Sequence, residues 1–449
     1  MGNNNEAAIA TRQSPPTQWK LPTDADLVIV GNGIAGMSAA VEARRLDSRL
    51  PIVLLTQHNH STIIAPALKH YLLGRVRRAD LLAFPAGTEQ EVGLHVMRAQ
   101  VEAIDASKRV VHLAGGYPIR YRFLLLTTGS HAVGLPVELP GRDYDGVIIL
   151  HRLRDYLDLR RRLPEVEDVV VIGGGIHAAE TVMALACLRR PLRIHWLIRG
   201  ERPLGHLLDA NASDLVLAQA RAAGVEVACR AEVTQILGHI GVVAGVGTRA
   251  GHEIACQLVL ACTGMIPATK LAQACSPPLT LQQGIVVNSS LGTSIPGIYA
   301  AGDVAALWDP HARAYAPRAQ WHAAAALGRL AAQHMLNKKM RSASEVTGAL
   351  LLVTHLGELA LLLVGDPLDT RGECEIRTAR TKGGYRRVAV AGDRLVGYLS
   401  LGPSLPDVLA IKRLIDTGRS VHRSTLDLLQ DNRLIRRPAP RIAWMEGGV

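Results

Sequence analysis

Residues 26–40 read DLVIVGNGIAGMSAA, and the fold turns on how this stretch is read. Residues 27–30 are a short apolar run of the kind that forms one buried strand. Gly31, Gly33 and Gly36 follow at the spacing G-x-G-x-x-G, and residues 37–40 continue as helix formers. Each glycine has a physical reason to be there. Gly31 allows the tight turn out of the strand, Gly33 lets backbone approach a pyrophosphate, and Gly36 lets helix and strand touch with no side chain between them. The helix that opens at Ile34 and Ala35 then offers N–H groups and a partial positive charge to phosphates. An ordinary glycine-rich turn is the competing reading. The strand before the motif and the helix after it favour a dinucleotide loop.

The same pattern returns. Residues 168–172 are apolar, Gly173 and Gly175 follow, and Ala178 takes the third position, which the motif allows. The loop residues Ile176 and His177 open a helix that carries Glu180 and stops before Pro191. The next strand ends at Arg199, with Arg202 close behind. An acidic residue at that point would hold a bare ribose, whereas an arginine suits a 2′-phosphate. The equivalent strand of the first unit, residues 51–55, is followed by Thr56, Gln57 and His58, so Gln57 replaces the usual acid as the ribose partner. Two such units on one chain imply two dinucleotides, a more specific signal than either alone.

Other stretches fit around these loops. Residues 101–105, 109–113 and 121–127 alternate like a small antiparallel sheet. The last runs into Thr127, Thr128, Gly129 and Ser130, small residues that would let backbone lie along a cofactor. Residues 258–267 repeat that arrangement with Cys262, Thr263 and Gly264, where the cysteine reads as packing. Residues 297–301 read as a strand that delivers Gly302 and Asp303 to a helix start. There Asp303 could cap the helix or accept hydrogen bonds from a polyol. Residues 151–163 read as an arginine-rich connecting helix with a solvated face. His58 and His60 lie together, but no third ligand stands near, and no metal site is assigned.

Composition narrows the class. The 449 residues exceed one core. With 48% hydrophobic and 20% charged residues the chain reads as a globular enzyme. Residues 348–365 are apolar but broken by His355 and Glu358, so they read as buried strands and not as a membrane span. The net charge of +11 suits an acidic protein partner better than nucleic acid, because no aromatic-basic platform accompanies it and there are only two phenylalanines. The six cysteines, none before Cys187, make no metal or redox spacing and point to the reducing cytoplasm.

Taken together, the two glycine loops, Thr127-Thr128-Gly129, Glu180 and the run Tyr299-Ala300-Ala301-Gly302-Asp303 resemble the FAD-dependent pyridine nucleotide-disulfide oxidoreductase superfamily. The subgroup is that of rubredoxin and ferredoxin reductases and the FAD portion of assimilatory nitrite reductase large subunits. The resemblance implies FAD on the first loop and NAD(P)H on the second. It further implies that Gly302 and Asp303 meet the FAD ribityl and pyrophosphate, that the Val101 backbone meets adenine, and that Trp321 lies beside the flavin. Glu180 would sit at the nicotinamide, and Lys69 would stand near the flavin ring. The chain departs from the superfamily in having no cysteine near the first loop, so no thiol can relay electrons from the flavin.

The expected fold is α/β, with two Rossmann-like dinucleotide-binding domains, the second inserted in the first, and a small α+β C-terminal domain. The expected boundaries are a flexible arm (1–24), an FAD domain in two parts (25–150 and 284–342), an NAD(P)H domain (151–283), a C-terminal domain (345–422) and a basic tail (423–449). The expected function is transfer of electrons from NADPH, or NADH, through FAD to a small electron-carrier protein or partner reductase. No side chain is assigned as a catalytic acid, base or nucleophile, and a homodimer is left open. A flavin oxidase or quinone reductase, and a flavoprotein that docks according to its redox state, are the alternatives.

Overall fold

The computed structural model describes residues 22–188, 190–309, 313–337, 341–369, 372–381 and 384–422. Nearly all of the expected arm and the whole basic tail lie outside these residues. The chain forms two compact units. One holds residues up to 71, 76–131 and 265–348. The other holds 72–75, 132–264 and the chain from 349 onward.

The first unit is built on one large sheet. Asp24–Val30 lies at its heart, parallel to Ile52–Thr56 on one side and to Pro118–Leu126 on the other. Leu27, Val28, Ile29, Leu54 and Leu55 are all buried there, as expected of parallel strands covered on both faces. Ile298–Ala300 adds a further parallel strand, pairing Tyr299 with Leu125. The three alternating segments expected to form a separate small sheet are the continuation of this one. Val101–Asp105, Val110–Leu113 and Pro118–Leu126 run antiparallel to their neighbours in turn. The last strand is alternately buried and exposed in its first half and continuously buried at Leu124–Leu126, so a single strand serves both a hairpin and a parallel core. The helices Ile34–Leu46 and Trp321–Met335 pack closely. A Cβ on Gly328 would fall 2.0 Å from the Ala35 carbonyl oxygen, so only glycine permits this approach.

The second unit contains a parallel sheet ordered Glu226–Cys229, Arg193–Ile198, Asp168–Ile172, Leu258–Ala261 and Val147–Ile149. A three-stranded antiparallel sheet, Val233–His239, Val242–Thr248 and Glu253–Ala255, accompanies it. Sequence reading missed this sheet, because Gly238, Gly241, Gly245 and Gly247 dilute its alternation. The arginine-rich helix is Leu153–Arg162. It buries Leu153, Tyr156 and Leu159 and pairs Arg161 and Arg162 with Asp158.

The same unit includes a five-stranded antiparallel sheet. Its order is Leu351–Leu356, Leu359–Gly365, Arg394–Gly402, Gly384–Ala391, Glu375–Thr381. The helix Val408–Thr417 covers it, placing Ile411 among Leu362, Val364 and Tyr398. Asp407 caps that helix by accepting from the Ala410 N–H at 3.0 Å, and Gly418 closes it at φ +56°. Among the described residues, no helix is long and apolar enough to cross a membrane.

Candidate functional site

In the first unit the three glycines divide their labour. Gly31 sits at φ +118°, and a Cβ there would lie 2.2 Å from the Thr127 carbonyl oxygen. A Cβ on Gly36 would lie 2.1 Å from the Gly31 carbonyl oxygen. A Cβ on Gly33 would meet no atom within 4 Å. Two glycines are therefore required by packing, and the third faces open space. Gly33 is also the N-cap of the helix, with no side-chain cap and no acidic residue in the first turn. The first-turn N–H groups of Ile34 and Ala35 are thus left to a ligand. The Thr127 hydroxyl donates to the Val30 and Gly31 carbonyls at 3.0 Å each, locking loop to strand.

The segment at 302 joins this loop. A Cβ on Gly302 would come 3.0 Å from the Ala35 Cβ and 3.6 Å from the Ala324 Cβ, so three segments remote in sequence meet here. Asp303 does not cap its short helix, although the sequence allowed that role. It accepts instead from the Ser130 hydroxyl at 2.9 Å. Desolvation raises the Asp303 pKa, and the Ser130 bond offsets only part of this. On the same helix as Ala324, the Trp321 indole Nε1 is buried with no hydrogen-bond partner. An orphaned donor, a desolvated acceptor and an open glycine face fit a bound polyol diphosphate such as FAD. Thr128 donates to the Ala268 carbonyl at 2.9 Å, and Gly129 follows at φ +68°. Val101 begins the strand Val101–Asp105, Gln57 is exposed just past the strand Ile52–Thr56, and Lys69 lies in the short helix Leu68–Leu72. The rings of His58 and His60 stack at 5.0 Å.

The second unit repeats the arrangement. Gly173 sits at φ +138°, and its Cβ would fall 2.2 Å from the Cys262 carbonyl oxygen. Gly175 caps the helix Ile176–Ala186, again without a side-chain cap or first-turn acid, and faces open space. Ala178 is buried beneath the turn. His177 Nε2 lies 3.0 Å from the Tyr156 hydroxyl, whose pKa is raised by burial. The Glu180 carboxylate accepts from the Thr354 hydroxyl at 2.5 Å. Gly264 takes φ +123° in the turn after Leu258–Ala261.

Beyond Arg193–Ile198 lies a cavity of about 610 Å³. Arg202 lines it with Gly174, Gly200 and His206, whereas Arg199 is exposed and lies near Glu232. Leu368 and Arg387, from the C-terminal sheet, also line the cavity. Sequence reading missed both, since nothing local marks residues that reach a loop so far back along the chain.

All six cysteines are free thiols. Cys256, Cys262 and Cys275 are buried, and burial pushes the Cys256 thiol up to about 12. Thiols held in that state are poor nucleophiles. Replacing all six by Ala or Ser is therefore expected to leave the rate of flavin reduction by NAD(P)H within about threefold of wild type. Stopped-flow flavin bleaching measures this, and loss of reduction in a folded, flavin-loaded variant would place a thiol in the chemistry.

The family model for pyridine nucleotide-disulphide oxidoreductases matches residues 25–328. Rubredoxin-NAD(+) reductase of Pseudomonas putida is 31% identical over 282 residues, covering 62% of this chain and 71% of the relative. A ferredoxin–NAD(P)(+) reductase of Sphingomonas is 30% identical, covering 66% of this chain and 69% of the relative. In fold, the chain is similar to putidaredoxin reductase in its covalent complex with putidaredoxin. The TM-score is 0.81 at 23% identity, over 91% of this chain and 96% of that one. A ferredoxin reductase from Rhodopseudomonas palustris matches with the same TM-score and identity, over 91% of this chain and 98% of that one. The chain therefore belongs to the pyridine nucleotide-disulphide oxidoreductase family, as an FAD- and NAD(P)H-dependent oxidoreductase whose sequence has no cysteine before Cys187.

Proposed function

We propose that the enzyme draws electrons from NAD(P)H and delivers them to a small, acidic electron-carrier protein of the rubredoxin or ferredoxin kind. The observation that carries this is the pair of glycine loops with open faces in a chain that has no thiol near the first of them. The relatives' names, and the net charge of +11, support a carrier as acceptor. Six free thiols support a cytoplasmic setting.

FAD supplies the redox chemistry, since a flavin can take a hydride and release electrons singly. The chain's part is to bind and orient. The N–H groups of Ile34 and Ala35 would hold the FAD pyrophosphate over Gly33. Asp303 would accept from ribityl hydroxyls, Trp321 Nε1 would donate, and the small residues Thr128, Gly129 and Ser130 would let the cofactor lie against backbone. Val101 and Gln57 would border the adenosine, and Lys69 would favour negative charge on the reduced ring. In the second unit the first-turn groups of Ile176 and His177 would hold the nucleotide pyrophosphate. Glu180, steadied by Thr354, would orient the carboxamide. The test is NAD(P)H oxidation by the purified yellow protein, with and without rubredoxin or a plant-type ferredoxin. Turnover should rise at least about tenfold with a carrier. Full turnover with oxygen alone would instead make the protein an oxidase.

Asp303 gives this reading a pH signature. Its carboxyl pKa is raised in the protein by desolvation, so its contribution to apoprotein stability is full at low pH and is lost as pH rises through the raised value. Hydroxyl donors from FAD would favour the ionised form and lower that pKa. FAD affinity is therefore expected to weaken by up to about tenfold per pH unit below the raised pKa and to level off above it. Asp303→Asn should flatten the profile. Fluorescence titration of apoprotein with FAD across pH checks this, and an unchanged profile in the variant would remove Asp303 from the site.

A further inference from the structure

In a β-α-β dinucleotide unit, the group beyond the second strand reads the 2′ position of the adenosine ribose. Here that place is the cavity lined by Gly174, Gly200, Arg202 and, from the C-terminal sheet, Arg387. Its volume of about 610 Å³ suits a nucleotide fragment. The acidic groups nearby are already engaged. Glu201 is held by Arg230 at 2.7 Å, with Arg202 at 3.7 Å. Asp209 Oδ1 caps its helix through the Ala212 N–H, while Oδ2 accepts from the Tyr385 hydroxyl at 2.5 Å and from Arg387 at 3.2 Å.

Arg387 is fixed before any ligand arrives. Its Nε donates to the Pro367 carbonyl at 2.7 Å, and one terminal nitrogen donates to the Leu368 carbonyl at 3.1 Å. With the Asp209 bond, three of the five guanidinium donors hold it against the cavity wall, and only 17% of the side chain is exposed. A guanidinium held this way loses little freedom when it binds an anion.

We propose that Arg387 and Arg202 together form the subsite for the 2′-phosphate of NADPH. The C-terminal sheet is then part of the nucleotide-binding pocket, and coenzyme preference is set there and not at Arg199. This rests on the NAD(P)H reading above and names the substrate within it.

The test is calorimetric titration of the full-length, FAD-loaded protein with adenosine 2′,5′-bisphosphate and with adenosine 5′-phosphate. Wild type should bind the bisphosphate at least about tenfold more tightly. Arg387→Gln should weaken the bisphosphate by about ten- to a hundredfold and the monophosphate by less than about threefold. Tyr385→Phe, which leaves Arg387 in place, should keep the wild-type preference. Equal binding of the two ligands by wild type overturns the proposal, and so does an equal loss of both in Arg387→Gln. If that variant loses its flavin or its fold, Arg387→Lys decides. A preference reduced by at least about threefold supports the subsite, because lysine keeps the charge but not the fork, and an unchanged preference overturns it. These titrations need no turnover, so failure of NAD(P)H oxidation would count against the electron-transfer reading and leave the binding ratios to decide this one.

Discussion

A Gly33→Val chain is expected to fold, remain soluble and purify colourless. The Gly33 backbone is extended, at φ −85° and ψ −179°, a conformation open to any residue. Its Cβ would meet nothing in the protein, so the substitution costs the fold little. The branched side chain would fill the space above the first turn, where a pyrophosphate has to reach backbone N–H groups. FAD affinity should fall at least about 100-fold, roughly 2.7 kcal/mol. Gly36→Val makes the contrast. Its Cβ would collide with the Gly31 carbonyl oxygen at 2.1 Å and with the Thr127 hydroxyl oxygen at 2.7 Å, so this variant should fail to fold. Flavin absorbance and thermal melting separate the two outcomes. A yellow Gly33→Val protein with wild-type FAD affinity would mean that this loop does not hold the cofactor.

Gly175→Val should give the complementary defect: a yellow, stable protein that dithionite reduces and NAD(P)H does not. Gly175 is likewise extended, at φ −87° and ψ 178°, and likewise faces open space. The loop proposed to hold FAD lies elsewhere in the chain, so flavin content should be unchanged. The kcat/KM for NAD(P)H should drop at least about 100-fold, with KM carrying much of the change because pyrophosphate binding is lost. Anaerobic stopped-flow reduction at rising NAD(P)H concentration measures it. Normal reduction would place the nicotinamide nucleotide away from this loop.

The glycine loops were legible because backbone geometry leaves few alternatives at such positions. Gly31 and Gly173 take positive φ and lie against neighbouring carbonyls, and a residue that only glycine can supply announces itself in sequence. The small sheet from Val233 to Ala255 was not legible, since Gly238, Gly241, Gly245, Gly247 and Gly251 interrupt its pattern. Arg199 stood at the motif position, yet Arg202 lines the cavity, because the chain turns at Gly200 and carries the later residue back. Arg387 could not be found at all. Its partner Asp209 is recognisable as a helix cap, but a cap signal says nothing of which remote side chain shares the carboxylate.

The pairing of Ile298–Ala300 with Leu124–Leu126 also constrains how the protein is made. The strand that brings Gly302 and Asp303 to the first glycine loop leaves the ribosome long after that loop does. Until then the central sheet of the first unit leaves the side of Leu124–Leu126 that Ile298–Ala300 will cover unpaired. Residues 132–264, by contrast, carry a complete parallel sheet within one continuous segment and can condense during synthesis. High contact order makes the first unit the slow one to form. FAD held by both segments, as proposed, would favour the paired sheet, so free FAD should raise the yield of soluble protein during expression.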